Sequence, residues 1–259
     1  MFVKVATKWI LTAAFFILLT TAGVGKAYAF EVGAEVDYWM TALSGDVKSD
    51  SGSVTGTTLD FKDSLGLDDY NSAGGKLHVE LGDHLLTLGY TPLAYSGIKT
   101  ISSDFIFNGQ TYTAGAVLES KLRLNMTDIQ YTYWLMNLSL GAFTKIGLTG
   151  GIKNFDFVTS LNETTTGIVE EKSAAIPIPV AGARIEVGVG DFVKLAASGV
   201  GMGYGGNSIF DVTGSIEVSP LPFVGATLGY RTVSVTLNAN DTNLNAGFSG
   251  LFIGLFAHF

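Results

Sequence analysis

The sequence predicts an all-β fold: a transmembrane, antiparallel, up-and-down β-barrel of ten strands, with eight or twelve as the alternative counts. Three observations carry this. Apolar residues make up 47% of the chain and its mean hydropathy is positive, yet past residue 29 no run approaches the roughly 20 residues of a membrane-spanning helix. The hydrophobicity is instead spread over alternate positions, as a strand with one face to lipid requires. The chain also ends, over 250–259, with Leu251, Ile253, Leu255, Ala257 and Phe259 at alternate positions. In water the free edge of so apolar a strand invites aggregation, whereas a strand that closes a ring in lipid has no free edge.

Residues 1–29 read as a secretory signal peptide. Lys4 and Lys8 give a basic start, 9–21 is an apolar run, and Ala27-Tyr28-Ala29 is a small-x-small site before Phe30. A membrane anchor is the alternative, but the apolar core before Gly23 is short for a span. The expected organisation is therefore a signal peptide over 1–29 and one barrel over 30–259, a size that suits a single domain. The signal carries three lysines and no acid, so its removal leaves 12 basic and 23 acidic side chains, a net charge of −11. So acidic a chain is ill suited to nucleic acid. The absence of cysteine excludes disulfides, thiolate chemistry and cysteine-based metal sites.

Each element is placed where the alternation holds. The first strand, 31–43, turns Val32, Ala34, Val36, Tyr38 and Met40 to lipid and Glu31, Glu35, Asp37 and Trp39 inward. A long polar loop, 44–71, follows. The second strand, 72–82, alternates Leu77, Val79 and Leu81 with Lys76, His78 and Glu80, and a tight turn at Gly82-Asp83 leads to the third, 84–97. Asn108-Gly109 between apolar residues is a hairpin signal, and the third and fourth strands are expected to extend there as a ribbon. The fourth, 117–136, changes phase: Leu122, Leu124 and Met126 share one parity, then Ile129, Tyr131, Tyr133 and Leu135 share the other. One extra residue near Thr127-Asp128 accounts for this, so a β-bulge is predicted there.

Asn137 then turns the chain into the fifth strand, 138–160, and 162–172 reads as a polar loop. The sixth, 173–190, opens with Pro177 and Pro179, which lack ladder donors and belong at an outer rim or beside a bulge. Asp191 turns into the seventh, 192–204, and Gly205-Gly206-Asn207 into the eighth, 208–219. Pro220-Leu221-Pro222 leads to the ninth, 223–237, and the loop 238–243 to the last. Tight turns thus alternate with longer connections, the rule for such barrels, and an even count puts both chain ends on the tight-turn side.

Parity places eight bases in the lumen: Lys76, Lys121, Arg123, Lys145, Lys153, Arg184, Lys194 and Arg231. Eight acids join them: Glu31, Glu35, Asp37, Glu80, Asp128, Glu186, Asp211 and Glu217. Lone buried charges cost several kcal/mol, and ten strands enclose little more than side chains can fill, so the lumen is expected to be charge-paired and largely plugged. Lys121, Arg123 and Lys153 lie near strand ends, where a place above the membrane is the alternative. The remaining acids fall in loops and turns, with Asp60, Asp63, Asp68 and Asp69 clustered in the first. Carboxylates suit hard cations, but no calcium-loop spacing is present, and a solvated acidic surface is the simpler account. No cofactor or metal is expected.

The terminal strand resembles the C-terminal assembly signal of bacterial outer-membrane β-barrels: a final Phe259, with Leu251, Ile253, Leu255 and Ala257 at alternate positions before it. The resemblance implies export through the periplasm to the bacterial outer membrane. It also implies recognition of the last strand by the assembly machinery and surroundings of outer-membrane lipid and lipopolysaccharide. Closure leaves no edge needing a partner, so a monomer is expected. The sequence carries no nucleophile elbow, no paired-histidine zinc motif and no phosphate loop. The expected role is a passive structural or small-solute barrel without catalysis. One alternative is a conduit or binder for small hydrophobic molecules, lined by Phe248, Phe252, Phe256, Ile176 and Ile178. Another is a lipid-modifying enzyme using His78, since His84 and His258 sit at the tight-turn end.

Overall fold

The computed structural model describes residues 30–139, 143–164, 167–190, 192–239 and 241–259. The signal peptide expected over 1–29 and the turn residue Asp191 lie outside the described residues. The strands are β1 (Phe30–Ser49), β2 (Leu59–Asp60), β3 (Tyr70–Leu81), β4 (His84–Thr100), β5 (Phe105–Phe107), β6 (Gln110–Tyr112), β7 (Val117–Ser139), β8 (Phe143–Glu163), β9 (Ile168–Val189), β10 (Val193–Tyr204), β11 (Asn207–Leu221), β12 (Val224–Ala239) and β13 (Thr242–His258). Ten of them close a ring in the order β1-β3-β4-β7-β8-β9-β10-β11-β12-β13 and back to β1, while β2 pairs onto β1 and β5–β6 form a separate hairpin.

Lipid cannot hydrogen-bond a backbone, so the ring must close on itself. It does so along β1–β13, from Gly33↔His258 to Ser49↔Thr242. Two further bonds, Val32 N–H to Phe259 O and Phe259 N–H to Val32 O, both 2.9 Å, finish the seam. The chain ends share one rim with the tight turns at Gly82-Asp83 and Pro222-Phe223, and the long connections 50–69 and 101–116 lie at the other. We call these the turn end and the loop end. Outside the ring stand Val36, Leu77, Leu88, Ile129, Leu148, Phe210, Leu228 and Leu255, the apolar belt that faces acyl chains.

Strand β7 holds the main surprise. Both of its ladders run unbroken through the position expected to bulge, Tyr90↔Thr127 and Gly89↔Asp128 on one side, Thr127↔Asn154 and Asp128↔Lys153 on the other. The irregularity lies instead between Trp134 and Met136, which leaves Leu135 and Met136 both exposed. The phase change has another cause. Ile129, Tyr131 and Tyr133 face out, whereas Leu122, Leu124 and Met126 are buried inside the ring. The strand keeps its register, and the apolar face switches sides: it looks to lipid in the turn-end half and to the interior in the loop-end half. Lys121 and Arg123 accordingly point out, not into the lumen as expected.

Several strands outrun their expected ends, those at the loop end because of the same inversion. β8 and β9 pair up to Glu163↔Ile168, so most of 162–172 is ladder. β12 and β13 pair to Ala239↔Thr242, and Asn137 pairs with Lys145 inside β7 rather than turning. At 220–222 the strand β11 continues to Leu221 with a register shift after Val218. Pro177 and Pro179 sit in the part of β9 above Ala181↔Gly201, where the β10 ladder begins. A strand with one open edge accepts proline.

The loop end is covered. Leu59, Phe61, Leu65 and Leu67, in the segment expected to be a polar loop, are buried, as are Phe105, Phe107 and Tyr112 of the β5–β6 hairpin. That hairpin turns at Asn108 and Gly109, with φ 50° and 79°, but it folds over the mouth rather than extending β4 and β7. Asn108 N–H donates to Ser49 O (3.0 Å) and Thr57 N–H to Ile106 O (2.7 Å), while Asn108 Nδ2 donates to Glu170 Oε2 (3.0 Å). The acids of the first loop shape it: Asp60 Oδ1 accepts the amides of Lys62 and Asp63 at 2.8 and 2.7 Å. Asp69 is held below the usual carboxylate range, first by Lys62 and then by the Leu43 amide.

Beneath this cover the loop-end half of the barrel is packed with Trp39, Leu43, Leu93, Tyr95, Leu122, Leu124, Met126, Phe155, Val233, Val235, Phe248 and Phe252. Phe248, 1% exposed, stacks on Tyr95 with ring centroids 5.9 Å apart. Phe248→Ala should therefore cost about 3–5 kcal/mol, as large-to-small changes in packed cores do. A lowered urea midpoint in refolding into lipid vesicles checks it; an unchanged midpoint would mean that Phe248 is not part of a packed core.

Candidate functional site: the charged cavity of the turn-end half

In the turn-end half the inward positions carry charge. Parity puts Lys76, His78 and Glu80 of β3, Lys145 and Lys153 of β8, and Arg184 and Glu186 of β9 on the lumen face. Lys194 of β10, Asp211 and Glu217 of β11, and Arg231 of β12 complete it. Together they line a cavity of about 650 Å³ whose rim includes Glu31, Gly190, Phe192, Pro220, Pro222 and His258, so it opens at the turn end. Its inner limit is drawn by Thr91, Asp128, Lys153, Val200, Asp211 and Arg231, directly below the apolar packing.

The floor is one ionic cluster. Arg231 meets Asp211 with two parallel bonds, Nε to Oδ1 at 3.1 Å and Nη2 to Oδ2 at 2.7 Å. Its Nη1 donates to Thr91 Oγ1 (3.1 Å), and Nη2 lies 3.8 Å from Asp128 Oδ2. Lys153, 1% exposed, reaches Asp211 at 2.7 Å and also bonds Asp128. Two cations and two carboxylates thus neutralise one another, the condition under which buried charge persists.

Further groups climb the walls. Lys76 lies 3.5 Å from Glu35 and 3.4 Å from Asp37. Arg184 meets Glu186 at 2.7 Å, and Lys194 spans Glu186 (3.7 Å) and Glu217 (2.8 Å). Lys145 bonds Glu80. At the rim Glu31 accepts contacts from His78 Nε2 at 3.3 Å and His258 Nδ1 at 3.4 Å. Three of the cations also sit over rings: Lys76 over Phe252, Lys145 over Trp134 and Arg231 over Trp39, 5.1, 5.5 and 5.0 Å from the centroids. Aromatic rings are made room for by glycine: a Cβ on Gly229 would lie 2.4 Å from Phe252 Cζ, and one on Gly225 2.3 Å from Phe256 Cζ.

With Lys121 and Arg123 outside, the lumen balance is six bases against eight acids, Glu31 included, not eight against eight. The charges line open space rather than fill it, and the plug is the apolar half above them. Lys153, whose position near a strand end left its place open, is the most buried of these cations; the period-two spacing from Lys145 was the signal for it. Of the residues expected to line an apolar pocket, Phe248 and Phe252 are packed in the core, Ile176 and Ile178 lie against it, and Phe256 faces the charged cavity. The apolar void beside Phe248 is about 10 Å³, room for a water at most. Thr227 is buried on the cavity wall and its Oγ1 has no hydrogen-bond partner. Among the described residues no group of His, Asp and Glu is arranged to hold a metal ion.

Removing one member of the floor strands a buried opposite charge, which typically costs 3–5 kcal/mol. Arg231→Ala and Lys153→Met should each lose about that much in a two-state refolding assay. The double change Asp211→Leu, Arg231→Met leaves Lys153 paired with Asp128 and should lose less than Arg231→Ala alone. An unchanged midpoint for the single variants would count against the network.

The sequence matches no protein-family model and no curated protein. Among solved structures the chain is similar to the outer membrane protease OmpT from Escherichia coli, at 10% identity over 92% of this chain and 100% of that one, with a TM-score of 0.62. Weaker likenesses are to Neisserial surface protein A (13% identity, 90% and 100% of the chains, TM-score 0.35) and to the attachment invasion locus protein Ail of Yersinia pestis (10%, 89% and 99%, TM-score 0.34). At such identities what is shared is the fold. The lipid-facing belt, the self-closed ring of ten strands and this likeness together give the chain the fold of a small bacterial outer-membrane β-barrel.

Proposed function

We propose that the chain is a passive integral outer-membrane barrel, sealed towards the cell exterior and open to the periplasm as a polar cavity. It holds water and small polar solutes and performs no catalysis. The observation that carries this is the division of the lumen: about 650 Å³ of charged space at the turn end, ending on a neutralised ionic floor, with packed apolar side chains and a folded loop cover beyond it. The last strand displays Leu251, Ile253, Leu255 and Phe259 to the outside, which supports its role as the surface the assembly machinery reads. With β13 bonded to β1 there is no free edge in the ring at the seam, which supports a monomer.

The two other readings are less well supported. A conduit for apolar molecules needs an apolar channel, and the residues that would line it are packed in or against the core, except Phe256, which faces the charged cavity. A lipid-modifying enzyme needs its base at the outer leaflet. His78, His84 and His258 all lie at the turn end, where His84 Nδ1 bonds Tyr131 OH (2.6 Å) on the outer wall and the other two share Glu31.

Single-channel recording of the refolded mature chain in a planar bilayer tests the proposal. Silence in a sample that resists unfolding is the expected result. Steady openings of appreciable conductance would mean that the loop-end packing is not a seal, and the barrel would then be a porin.

A further inference from the structure

We propose that the cavity wall formed by β12, β13 and β1 is a binding site for small organic ammonium ions, centred on Thr227, Phe256 and Glu35. Such a site presupposes the reading of the cavity as a space for small polar solutes, and it gives that solute its charge.

Charge is unevenly balanced round the cavity. Lys145 pairs with Glu80, Lys153 and Arg231 with Asp128 and Asp211, and Arg184 and Lys194 with Glu186 and Glu217. Each of these sets is neutral. What remains is Lys76, one cation between the two carboxylates of Glu35 and Asp37, and Glu31, whose ion-pair partners are His78 and His258. Glu31, Glu35 and Asp37 stand on one face of β1. The surplus of acid is therefore not spread round the ring but lies along a single strand, and a cation entering from the turn end is drawn there.

Beside this strand is an unpaired hydroxyl. Thr227 is 5% exposed, forms part of the cavity wall, and its Oγ1 has no hydrogen-bond partner. A polar group buried in this way is costly until a partner is supplied. In the ladders Thr227 lies beside Gly254, and Gly254 beside Asp37. Gly254 leaves a gap where a side chain would stand, and the Glu35 carboxylate leans over it: a Cβ there would lie 3.0 Å from Glu35 Oε1. Hydroxyl and carboxylate thus border the same bare stretch of backbone.

Two rings frame that stretch. Phe252 and Phe256 stand two positions either side of Gly254 on β13, and their rings lie over Gly229 and Gly225 of β12, with Thr227 between. Phe252 already carries an ammonium. Lys76 Nζ lies 5.1 Å from its centroid, 3.5 Å from Glu35 and 3.4 Å from Asp37, so the chain displays this mode of binding with its own lysine. Phe256 is opposite Glu35 in the ladder and half-buried. Among the described residues no lysine or arginine sits over it; His258 meets it edge-on, with centroids 5.8 Å apart. An alkylammonium against this ring gains a cation–π contact. It donates a charge-assisted hydrogen bond to Glu35 and a second bond to Thr227 Oγ1. An anion is repelled by β1, and a bare metal ion finds no grouping of ligands among the described residues.

The test is isothermal titration of the refolded mature chain in detergent, at mildly alkaline pH, with the diamine putrescine. Butanediol is the neutral control and succinate the anionic one. Putrescine should bind and the controls should not, and added salt should weaken it. Glu35→Gln, which leaves Lys76 paired with Asp37, should weaken binding roughly tenfold. Thr227→Val should weaken it roughly fivefold, whereas Thr227→Ser keeps the hydroxyl and should retain it, which separates a lost bond from a lost fold. No binding by the wild type, equal binding of butanediol, or wild-type affinity in the double variant Glu35→Gln, Thr227→Val overturns the proposal. Failure of putrescine to bind a barrel that is silent in bilayers overturns this site alone. Steady conductance with putrescine binding intact overturns the sealed barrel and upholds the site.

Discussion

Everything in this molecule follows from the bonding of β13 to β1. In hydrocarbon each unpaired backbone group costs several kcal/mol, so a sheet of ten strands is tolerable there only as a ring. Once the ring is closed, each strand has one face in lipid and one in a lumen too narrow to be empty of consequence. The side chains then answer two questions at every position: which face, and which half. The seam answers the first for the whole ring, because antiparallel pairing passes the parity of β1 from strand to strand without a break in the belt. The irregularity after Trp134 falls near the rim, where two adjacent outward residues do no harm.

The second question is answered by the inversion. In the turn-end half the outside is hydrocarbon and the inside is wet, so apolar residues face out. In the loop-end half the outside is headgroup or water and the inside must be sealed, so they face in. β7 shows both halves in one strand: Tyr131 and Ile129 against lipid, then Met126, Leu124 and Leu122 in the core, with Arg123 and Lys121 taking the outer positions they vacate. The long β8–β9 ribbon continues the same logic above the membrane, where Leu161 is buried and Asn162 bonds Glu119. The β5–β6 hairpin and the 59–67 segment extend the interior apolar layer into a cover.

This inversion also sets what could be read in the sequence. The belt, the ring of ten and the closing strand were legible because a period of two survives wherever one face meets lipid. The inward charges of β3, β9, β10 and β11 were legible for the same reason. What the rule of apolar-outside could not see is a strand whose surroundings change partway along. A switch of face and a bulge produce the same string of letters, since both move the apolar residues to the other parity. Only the ladders, with Asp128 opposite both Gly89 and Lys153, separate them. The short ends given to several strands have the same origin, as has the misplacement of Lys121 and Arg123. The burial of Leu59, Phe61, Leu65 and Leu67 depends on the loop folding back over the mouth, a tertiary fact with no period to announce it.

The ionic floor sits where the two halves meet, and its composition follows from that place. Above it are packed apolar side chains and below it the charged cavity, so its groups meet an apolar neighbourhood on one side and a polar one on the other. Lysine alone would serve poorly here, since an ammonium is strongly hydrated and offers no flat surface to an apolar neighbour. Arg231 resolves the conflict by its shape. One face of the guanidinium lies over Trp39, a buried ring of the plug, while its edges bond Asp211 and Thr91. Planar, weakly hydrated and always charged, it is apolar enough for the side above and polar enough for the side below. Lys153 then supplies the second positive charge from the wall, where it can reach Asp128 and Asp211 together. The junction between packed half and cavity is thus a single ionic layer, and the barrel needs no separate plug domain to divide one end of its lumen from the other.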